Sequence, residues 1–245
     1  LIPIFCFADN NVEQIIRDRL SIDKKTLDLG GAKIGPSGAK TLASLKLLSE
    51  VENLLLPGNK IKYRGIKALA KSPHSSNLKH LDLWGNMIGD IGLKTLSESP
   101  YIKNLEVLKL WKNEIGDESL ELIIQSSNFR KVKTLMLSDN LVGPIGAGYL
   151  ANPKTFPMLE TLNLFRNEIG DNGAIALANS KPFINLKFLF IGENNISDVG
   201  AIAIIKSNSF PKLETLDMVK NRLGQKTTIA VFKYNKTRNV QVIVR

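Results

Sequence analysis

The sequence contains few of the residues that most often carry chemistry. Its 245 residues include one cysteine, Cys6, and two histidines, His74 and His80. A single cysteine cannot form a disulfide within the chain, which favours a reducing compartment or a bacterial protein that is indifferent to redox state. We therefore expect a cytoplasmic protein, with a bacterial protein delivered to a host, or secreted, as the alternative.

Familiar active-site motifs and membrane segments are also absent from the sequence. It holds no Cys-x-x-Cys, His-Glu-x-x-His or Gly-x-Ser-x-Gly motif and no phosphate-binding glycine loop. No apolar run approaches the roughly 20 residues that a membrane-spanning helix needs. We expect no catalytic activity, no cofactor and no metal site.

What the sequence has instead is a repeat of 27 residues. An asparagine marks seven of the eight copies, and leucine-like residues precede it by eight, five and three positions, as in Leu78-x-x-Leu81-x-Leu83-x-x-Asn86. The asparagines are Asn59, Asn86, Asn113, Asn140, Asn167, Asn194 and Asn221, and the same step back from Asn59 reaches Ala32. Eight copies in register without an insertion predict a repeat architecture.

Each copy reads as one strand followed by one helix. In the segment 105–110, Leu108 and Leu110 alternate with Val107 and Lys109, which is strand spacing. Pairs such as Gly143-Pro144 are typical of helix starts, and apolar residues then recur at helical spacing. Stacked strands lie about 4.8 Å apart, whereas helices are about 10 Å wide. We therefore expect a curved solenoid with parallel strands inside and helices outside.

The repeat resembles the leucine-rich repeat. The part that reads Ile-Gly-Asp-Asn-Gly-Ala-Ile-Ala-Leu-Ala at residues 169–178 is similar to the ribonuclease-inhibitor-like subfamily. This resemblance covers residues 24–224 and implies an α/β horseshoe that acts as a non-catalytic protein-recognition module. Such proteins include nuclease inhibitors, GTPase-activating proteins, innate-immune sensors and bacterial effectors. The alternative function is a GTPase-activating or other regulatory protein that acts on a bound partner.

The repeat needs neighbours on both sides, so residues 1–245 are interpreted as one domain. Residues 1–23 are assigned to an N-terminal cap, 24–224 to about eight repeats, and 225–245 to a C-terminal cap helix and strand. Residues 1–8 are interpreted as a degenerate strand or cap, with the remnant of a processed signal sequence as the alternative. The last strand is expected at residues 240–244, because Val240 follows Leu213 by one repeat length.

Several columns of equivalent residues are interpreted as scaffold. A buried asparagine amide can satisfy backbone groups in its own turn and in the adjoining turn, and the aspartates are expected to cap helices. The residues before the strands alternate in charge and are expected to pair across neighbouring strands. The expected caps are Asp90, Asp117, Asp171 and Asp198. The alternating charges are Lys25, Glu52, Lys79, Glu106, Lys133, Glu160, Lys187 and Glu214. A further column is expected to lie in the core and consists of Phe129, Phe156, Phe183 and Phe210.

One column on the inner face departs from this scaffold. Trp84 and Trp111 occupy adjacent copies at a position that holds Gly, Pro or Ser in four of the other six copies and Phe165 or Val219 in the remaining two, so both are expected to face solvent. Tryptophan is enriched in binding hot spots, and we predict an aromatic patch that binds a protein partner on the concave face. The other residues of the patch are His80, Asp82, Lys109, Lys112, Met136, Phe165, Phe188 and Phe190.

The net charge of +10 raises the question of nucleic-acid binding. The columns that face inward nearly cancel, so the excess positive charge is expected on helices, loops and termini, as in the segment 60–71. A basic outer face suits anionic surfaces or simple solubility. It does not form a groove that follows a phosphate backbone, so nucleic-acid binding is the less favoured alternative. We expect a monomer without a membrane span.

Overall fold

The structure is a computed structural model that describes residues 6–152, 154–181, 183–235 and 239–245. Within these residues nine parallel strands form one sheet in chain order. The strands are β1 Thr26–Asp28, β2 Asn53–Leu55, β3 His80–Asp82, β4 Val107–Lys109, β5 Thr134–Met136, β6 Thr161–Asn163, β7 Phe188–Phe190, β8 Thr215–Asp217 and β9 Gln241–Ile243. The helices are α1 Cys6–Asp18, α2 Gly35–Ser44, α3 Lys62–Ala70, α4 Gly89–Ser97, α5 Asp117–Ile123, α6 Pro144–Leu150, α7 Gly170–Ala178, α8 Asp198–Lys206 and α9 Gln225–Asn235.

The middle residue of each internal strand points into a single apolar layer between the sheet and the helices. Leu54, Leu81 and Leu189 are fully buried there, while the two flanking residues of each strand are only half-buried on the opposite face. Consecutive helices pack side by side along the outside. The predicted fold class, an α/β solenoid with inner strands and outer helices, is confirmed.

The strand register follows the repeat length up to the last pair of strands. Thr26 lies opposite Asn53, and the same step of 27 residues holds as far as Phe188 opposite Thr215. The next pair places Gln241 opposite Thr215, so the step from β8 to β9 is one residue shorter than the repeat length. The expected last strand exists, but the prediction that Val240 is the equivalent of Leu213 is wrong, because the final copy has lost one residue.

The asparagine column is a buried ladder of hydrogen bonds. Asn113 is fully buried, and its amide Nδ2 donates to the carbonyl of Leu83 at 2.8 Å and to that of Trp111 at 3.0 Å. Its Oδ1 accepts the N–H of Asn86 at 3.1 Å. Each asparagine thus joins its own turn to the turn before it. The predicted scaffold role of this column is confirmed.

The aspartates cap helices, but not the helices that contain them. Asp90 lies in α4, and its Oδ1 accepts the N–H of Gly116, the residue before α5, at 2.9 Å. Asp117, Asp171 and Asp198 bond in the same way to Gly143, Ser197 and Gly224. Each carboxylate caps the helix of the following repeat, which corrects the expectation that it would cap its own.

The N-terminal segment and the phenylalanine column both contribute to the core. Helix α1 includes Val12, Ile15 and Ile16, and Ile16 is fully buried against the first repeat. Residues 6–8 are helical, so a strand does not form there, and residues 1–5 lie outside the described residues. The buried phenylalanines stack in pairs, Phe129 on Phe156 and Phe183 on Phe210, each with ring centroids 6.0 Å apart. No helix in the described ranges is long and apolar enough to span a membrane.

Candidate binding surface on the sheet

The strands bring most of the predicted patch onto one face. His80 and Asp82 flank the buried middle residue of β3, Lys109 ends β4, and Met136 ends β5. Phe188 and Phe190 flank the middle residue of β7, and all six of these residues are half-buried. Neighbouring strands are about 4.8 Å apart, so β3 and β4 form one end of this surface and β7 lies about 19 Å from β3.

Trp84 is the most exposed apolar member of the patch. Its side chain follows β3 and is 49% exposed. Its backbone is held firmly: the N–H donates to Asp82 Oδ1 at 3.1 Å, and the carbonyl accepts from Gly58 N at 2.7 Å. The carbonyl also accepts from Asn86 Nδ2 at 3.1 Å. A rigid backbone therefore presents a large aromatic side chain to solvent.

Trp111 is equivalent to Trp84 but differs in exposure. It is only partly exposed, and its indole Nε1–H is buried without a hydrogen-bond partner among the described residues. Trp111 therefore lies in the expected column and is partly exposed, but it is less exposed than Trp84. The repeat spacing places the two Cα atoms in one column, but the side-chain torsions, which the spacing does not determine, decide how much of each ring is covered.

His80 lies beside this pair in a charged and partly buried setting. Its Nε2 is buried without a hydrogen-bond partner among the described residues. Burial, and then the positive charge of Lys109, lower the pKa of His80, and Asp82 opposes them only in part. The carboxylate of Asp82 lies 3.5 Å from Lys109 Nζ. At neutral pH the imidazole is therefore uncharged and the Asp82–Lys109 pair supplies the local charge.

Phe165 lies two repeats beyond Trp111 and packs against a glycine. A Cβ atom built on Gly192 would come within 2.8 Å of the Phe165 ring, so the ring lies directly over the Gly192 backbone. The guanidinium of Arg166 is 5.5 Å from the ring centroid. Phe165 and the β7 phenylalanines therefore form a second aromatic region. The copy that contains Met136 and Ser138 lies between this region and the tryptophans.

Two charge ladders border the sheet face. In the predicted one, Glu52 binds both Lys25 and Lys79 at 2.8 Å, and the pairs Glu106–Lys133 and Glu160–Lys187 also form, at 2.7 Å and 3.0 Å. Four of the seven neighbouring pairs in the alternating column therefore form, which confirms the predicted pairing in part.

The second ladder was missed at the sequence level. Arg166 binds Asp139 at 2.9 Å and Glu193 at 2.8 Å, and Lys220 also binds Glu193 at 2.8 Å. Hydrogen bonds from Arg166 and then Lys220 lower the pKa of Glu193 to about 2. The signal was present, since residues 139, 166, 193 and 220 alternate in sign at the repeat spacing.

A shallow groove next to Lys112 was also missed. It has a volume of about 430 Å³ and runs along the turns that follow the strands. Its lining includes Lys60, Met87, Lys112, Glu114, Asp139 and Leu141. Met87 and Leu141 are both exposed there. The groove combines apolar side chains with charges of both signs, and it joins the sheet face at the exposed Lys112. Among the described residues, no three His, Cys, Asp or Glu side chains are arranged to hold a metal ion.

Comparison with known proteins agrees with the repeat. A family model described as a leucine rich repeat matches residues 25–43, 74–97, 101–123, 157–178 and 184–204, which together cover less than half of the chain. No curated protein matches the sequence. The similarity to the ribonuclease-inhibitor-like subfamily stays a prediction.

Two solved structures of the Arabidopsis receptor kinase HAESA are similar to this chain. The leucine-rich-repeat ectodomain in complex with an N-terminally extended IDA peptide hormone has a TM-score of 0.51 and 18% identity, with 90% of this chain and 34% of that chain covered. The complex with the peptide hormone IDA and the co-receptor SERK1 has a TM-score of 0.50 and 20% identity, with 81% and 30% covered. This chain thus spans about a third of the length of the receptor chains.

Proteins of this architecture commonly mediate protein–protein recognition and are typically non-catalytic. The repeat, the parallel sheet with outer helices and the two kinds of match together show that the chain has the fold of a leucine-rich-repeat solenoid.

Proposed function

We propose that this chain is a non-catalytic recognition module that binds a protein or peptide partner on the concave sheet face. Trp84 is the centre of the proposed surface, and the single observation that carries the proposal is its 49% exposure on a rigid backbone. The other members are His80, Asp82, Lys109, Trp111, Lys112, Met136, Phe165, Phe188 and Phe190.

The energetics of association favour such a site. Exposed apolar side chains that cluster on a surface usually mark an interaction site, and a buried tryptophan often contributes ~2 kcal/mol or more to binding. The backbone of Trp84 is already fixed by Asp82, Gly58 and Asn86. Little conformational entropy is then lost when a partner covers the ring, which is the general advantage of preorganisation.

The surroundings of Trp84 support a partner with both apolar and polar groups. On one side Asp82 and Lys109 offer charges of both signs. On the other side the groove beside Lys112 offers Met87 and Leu141. An extended peptide segment could cross the tryptophans and continue into this groove. HAESA, whose fold this chain shares, is itself solved in complex with a peptide hormone, which supports binding of this kind.

Replacement of Trp84 by Ala tests the proposal. Proteins retained on the immobilised wild-type chain would be compared with those retained on the variant, and the affinity for each purified candidate would then be measured. We expect Trp84→Ala to weaken binding by roughly thirtyfold or more, as loss of a hot-spot residue does. The melting temperature should change little, because half of the ring is already in solvent.

Ile145→Ala is the matched control for this experiment. Ile145 is a large apolar side chain in α6, on the helical side, and it is 63% exposed. The Ile145→Ala variant should bind the partner as tightly as the wild type does. Equal binding by wild type and Trp84→Ala would refute the site, and equal loss in both variants would show a general effect of exposed apolar surface. Faster GTP hydrolysis by a bound GTPase would instead support the alternative of a GTPase-activating protein.

A further inference from the structure

The outer surface of the first two repeats carries a concentration of positive charge that lies outside the sheet face. Residues 29–49 and 53–81 contain no Asp or Glu. Six exposed basic side chains lie on α2, on α3 and on the loops before them. They are Lys33, Lys40, Lys60, Lys62, Arg64 and Lys67, and we call them the basic surface.

These six charges are not neutralised within the chain. In the described ranges none of them forms an ion pair with a carboxylate. The first turns of α2 and α3 contain no acidic residue, as in α6 and α9, whereas those of α4, α5, α7 and α8 do. Residues 218–245 also contain no Asp or Glu, so the basic surface is one of two parts of the chain with an excess of positive charge.

The repeat brings these side chains together. Lys40 and Lys67 are equivalent positions in consecutive copies, as are Lys33 and Lys60. Helices α2 and α3 pack side by side, and packed helices lie about 8–10 Å apart. Unpaired cations at this spacing create a strong local potential that attracts a polyanion.

Exposed apolar side chains border the basic surface. Met87 follows Lys60 by one repeat length and Ile91 follows Arg64, and the two are 38% and 60% exposed. Tyr63, at the start of α3, is 37% exposed, and its hydroxyl accepts a hydrogen bond from Arg64 Nε at 3.2 Å. A partner that covers the cations would also meet apolar side chains.

We propose that the basic surface binds the anionic face of a phospholipid bilayer. Groups of roughly four to eight Lys and Arg residues are typical of proteins that bind acidic lipids. Apolar side chains such as Ile91 strengthen such binding when they enter the interfacial region. Tyrosine also favours this region, because it has an apolar body and a polar tip.

The same features fit nucleic acid less well. Proteins that bind single strands combine a basic groove with aromatic side chains on which bases stack. Here the surface is the outside of two helices, and Met87 and Ile91 cannot stack on bases. The sheet face lies on the opposite side of the solenoid, so a bilayer on the basic surface leaves Trp84 open. Lys60 and Met87 also line the groove beside Lys112, so the variants that test vesicle binding leave these two residues unchanged. Vesicle binding and partner binding are thus tested on different residues.

Vesicle sedimentation of the full chain tests this inference. We expect the wild type to pellet with phosphatidylcholine vesicles that contain phosphatidylserine and to stay in solution with phosphatidylcholine alone. Binding should weaken as salt is added, because added ions screen exposed charges. The fourfold variant Lys40→Gln, Lys62→Gln, Arg64→Gln and Lys67→Gln should bind roughly tenfold or more weakly.

A second fourfold variant controls for net charge. Lys154, Lys206, Lys212 and Lys226 are exposed and lie outside the basic surface, and their replacement by Gln lowers the net charge by the same amount. This variant should bind within about twofold of the wild type, since only nearby charges act within a screening length. Both variants should keep the wild-type melting temperature.

Three outcomes would overturn the inference. The first is a wild type that does not distinguish anionic from neutral vesicles. The second is an equal loss of binding in both fourfold variants, which would show dependence on net charge alone. The third is a wild type that retains a short RNA but does not bind vesicles, with RNA retention lost in the first fourfold variant. This result would assign the surface to nucleic acid. A double variant, Tyr63→Ser with Ile91→Ser, keeps every cation and should lower vesicle binding mainly at high salt.

Discussion

At the residue scale, one carboxylate decides how the next helix begins. The residues before α5, α6 and α8 are capped by an aspartate of the preceding repeat, and they have extended backbone, with φ of −111° at Gly116 and −94° at Gly143. Pro36, Tyr63 and Pro144 stand where other repeats have this aspartate. In the repeat that follows each of them, the residue equivalent to Gly116 adopts positive φ, and its N–H donates to a backbone carbonyl. Gly89, with φ of +59°, donates to Asn113 O at 2.9 Å, and Gly170 does so to Asn194 O. The helix then starts one residue earlier.

The glycines Gly89 and Gly116 make this difference testable. Gly89→Ala should lower the free energy of unfolding by about 1–2 kcal/mol, because an L-residue is strained at positive φ. The effect is conformational, since no atom lies within 4 Å of the added Cβ position. Gly116→Ala is the control: its φ suits alanine, and the nearest atom to the new Cβ is 3.4 Å away. Denaturant unfolding of both variants checks the prediction, and equal stability losses would contradict it.

At the scale of the secondary-structure elements, the strands are short and the turns carry much of the connection between repeats. Each strand has three residues, so its ladder contributes few hydrogen bonds. The buried asparagine that follows adds bonds to the turn before it, as Asn113 does to Leu83 and Asn86. One amide therefore fixes the end of one strand, the turn and the neighbouring copy together.

Replacement of Asn113 by Ala should cost about 1–3 kcal/mol in the free energy of unfolding, because buried carbonyl and N–H groups lose their partner. Asn172→Ala is the matched control, because Asn172 is exposed in α7. It should change stability by less than about 0.5 kcal/mol. Chemical denaturation measures the free energy of unfolding of both variants. An unchanged denaturation midpoint for Asn113→Ala would show that the asparagine ladder does not contribute to stability.

At the scale of the whole molecule, stability comes from contacts between neighbouring copies. The step of 27 residues is constant from β1 to β8, so each copy presents the same surfaces before and behind. In such a solenoid the copies contribute approximately independent terms and nearest-neighbour terms. An internal copy can then be removed without changing the fold of the others.

Deletion of residues 115–141 tests this property. It removes one copy, leaves Asp90 to cap Gly143 in place of Gly116, and keeps the strand register. We expect a cooperatively folded chain with native-like circular dichroism and a lower melting temperature, since it places Glu106 next to Glu160. Deletion of residues 115–127 alone should lower stability more and broaden the unfolding transition, because it removes α5 and breaks the 27-residue step between β4 and β5. If both deletions unfold alike, the independence of the copies is wrong.

The amino-acid sequence by itself determined the repeat length, the alternation of strand and helix, the buried asparagine and phenylalanine columns and the Lys–Glu pairing. These follow from local periodicity and from the spacing of equivalent residues, which any stacked arrangement of the copies must respect. The proposed binding surface also rests on one sequence column, in which Trp84 and Trp111 stand where four other copies have Gly, Pro or Ser.

Only the tertiary structure decided what depends on contacts between copies and on side-chain torsions. It showed that Asp90 caps the next helix, that Arg166 joins two carboxylates, that the last copy is one residue short and that Trp84 is more exposed than Trp111. A repeat spacing specifies which backbones become neighbours. It does not specify the rotamer of a ring or the direction in which a carboxylate reaches, because these depend on the packing of adjacent copies.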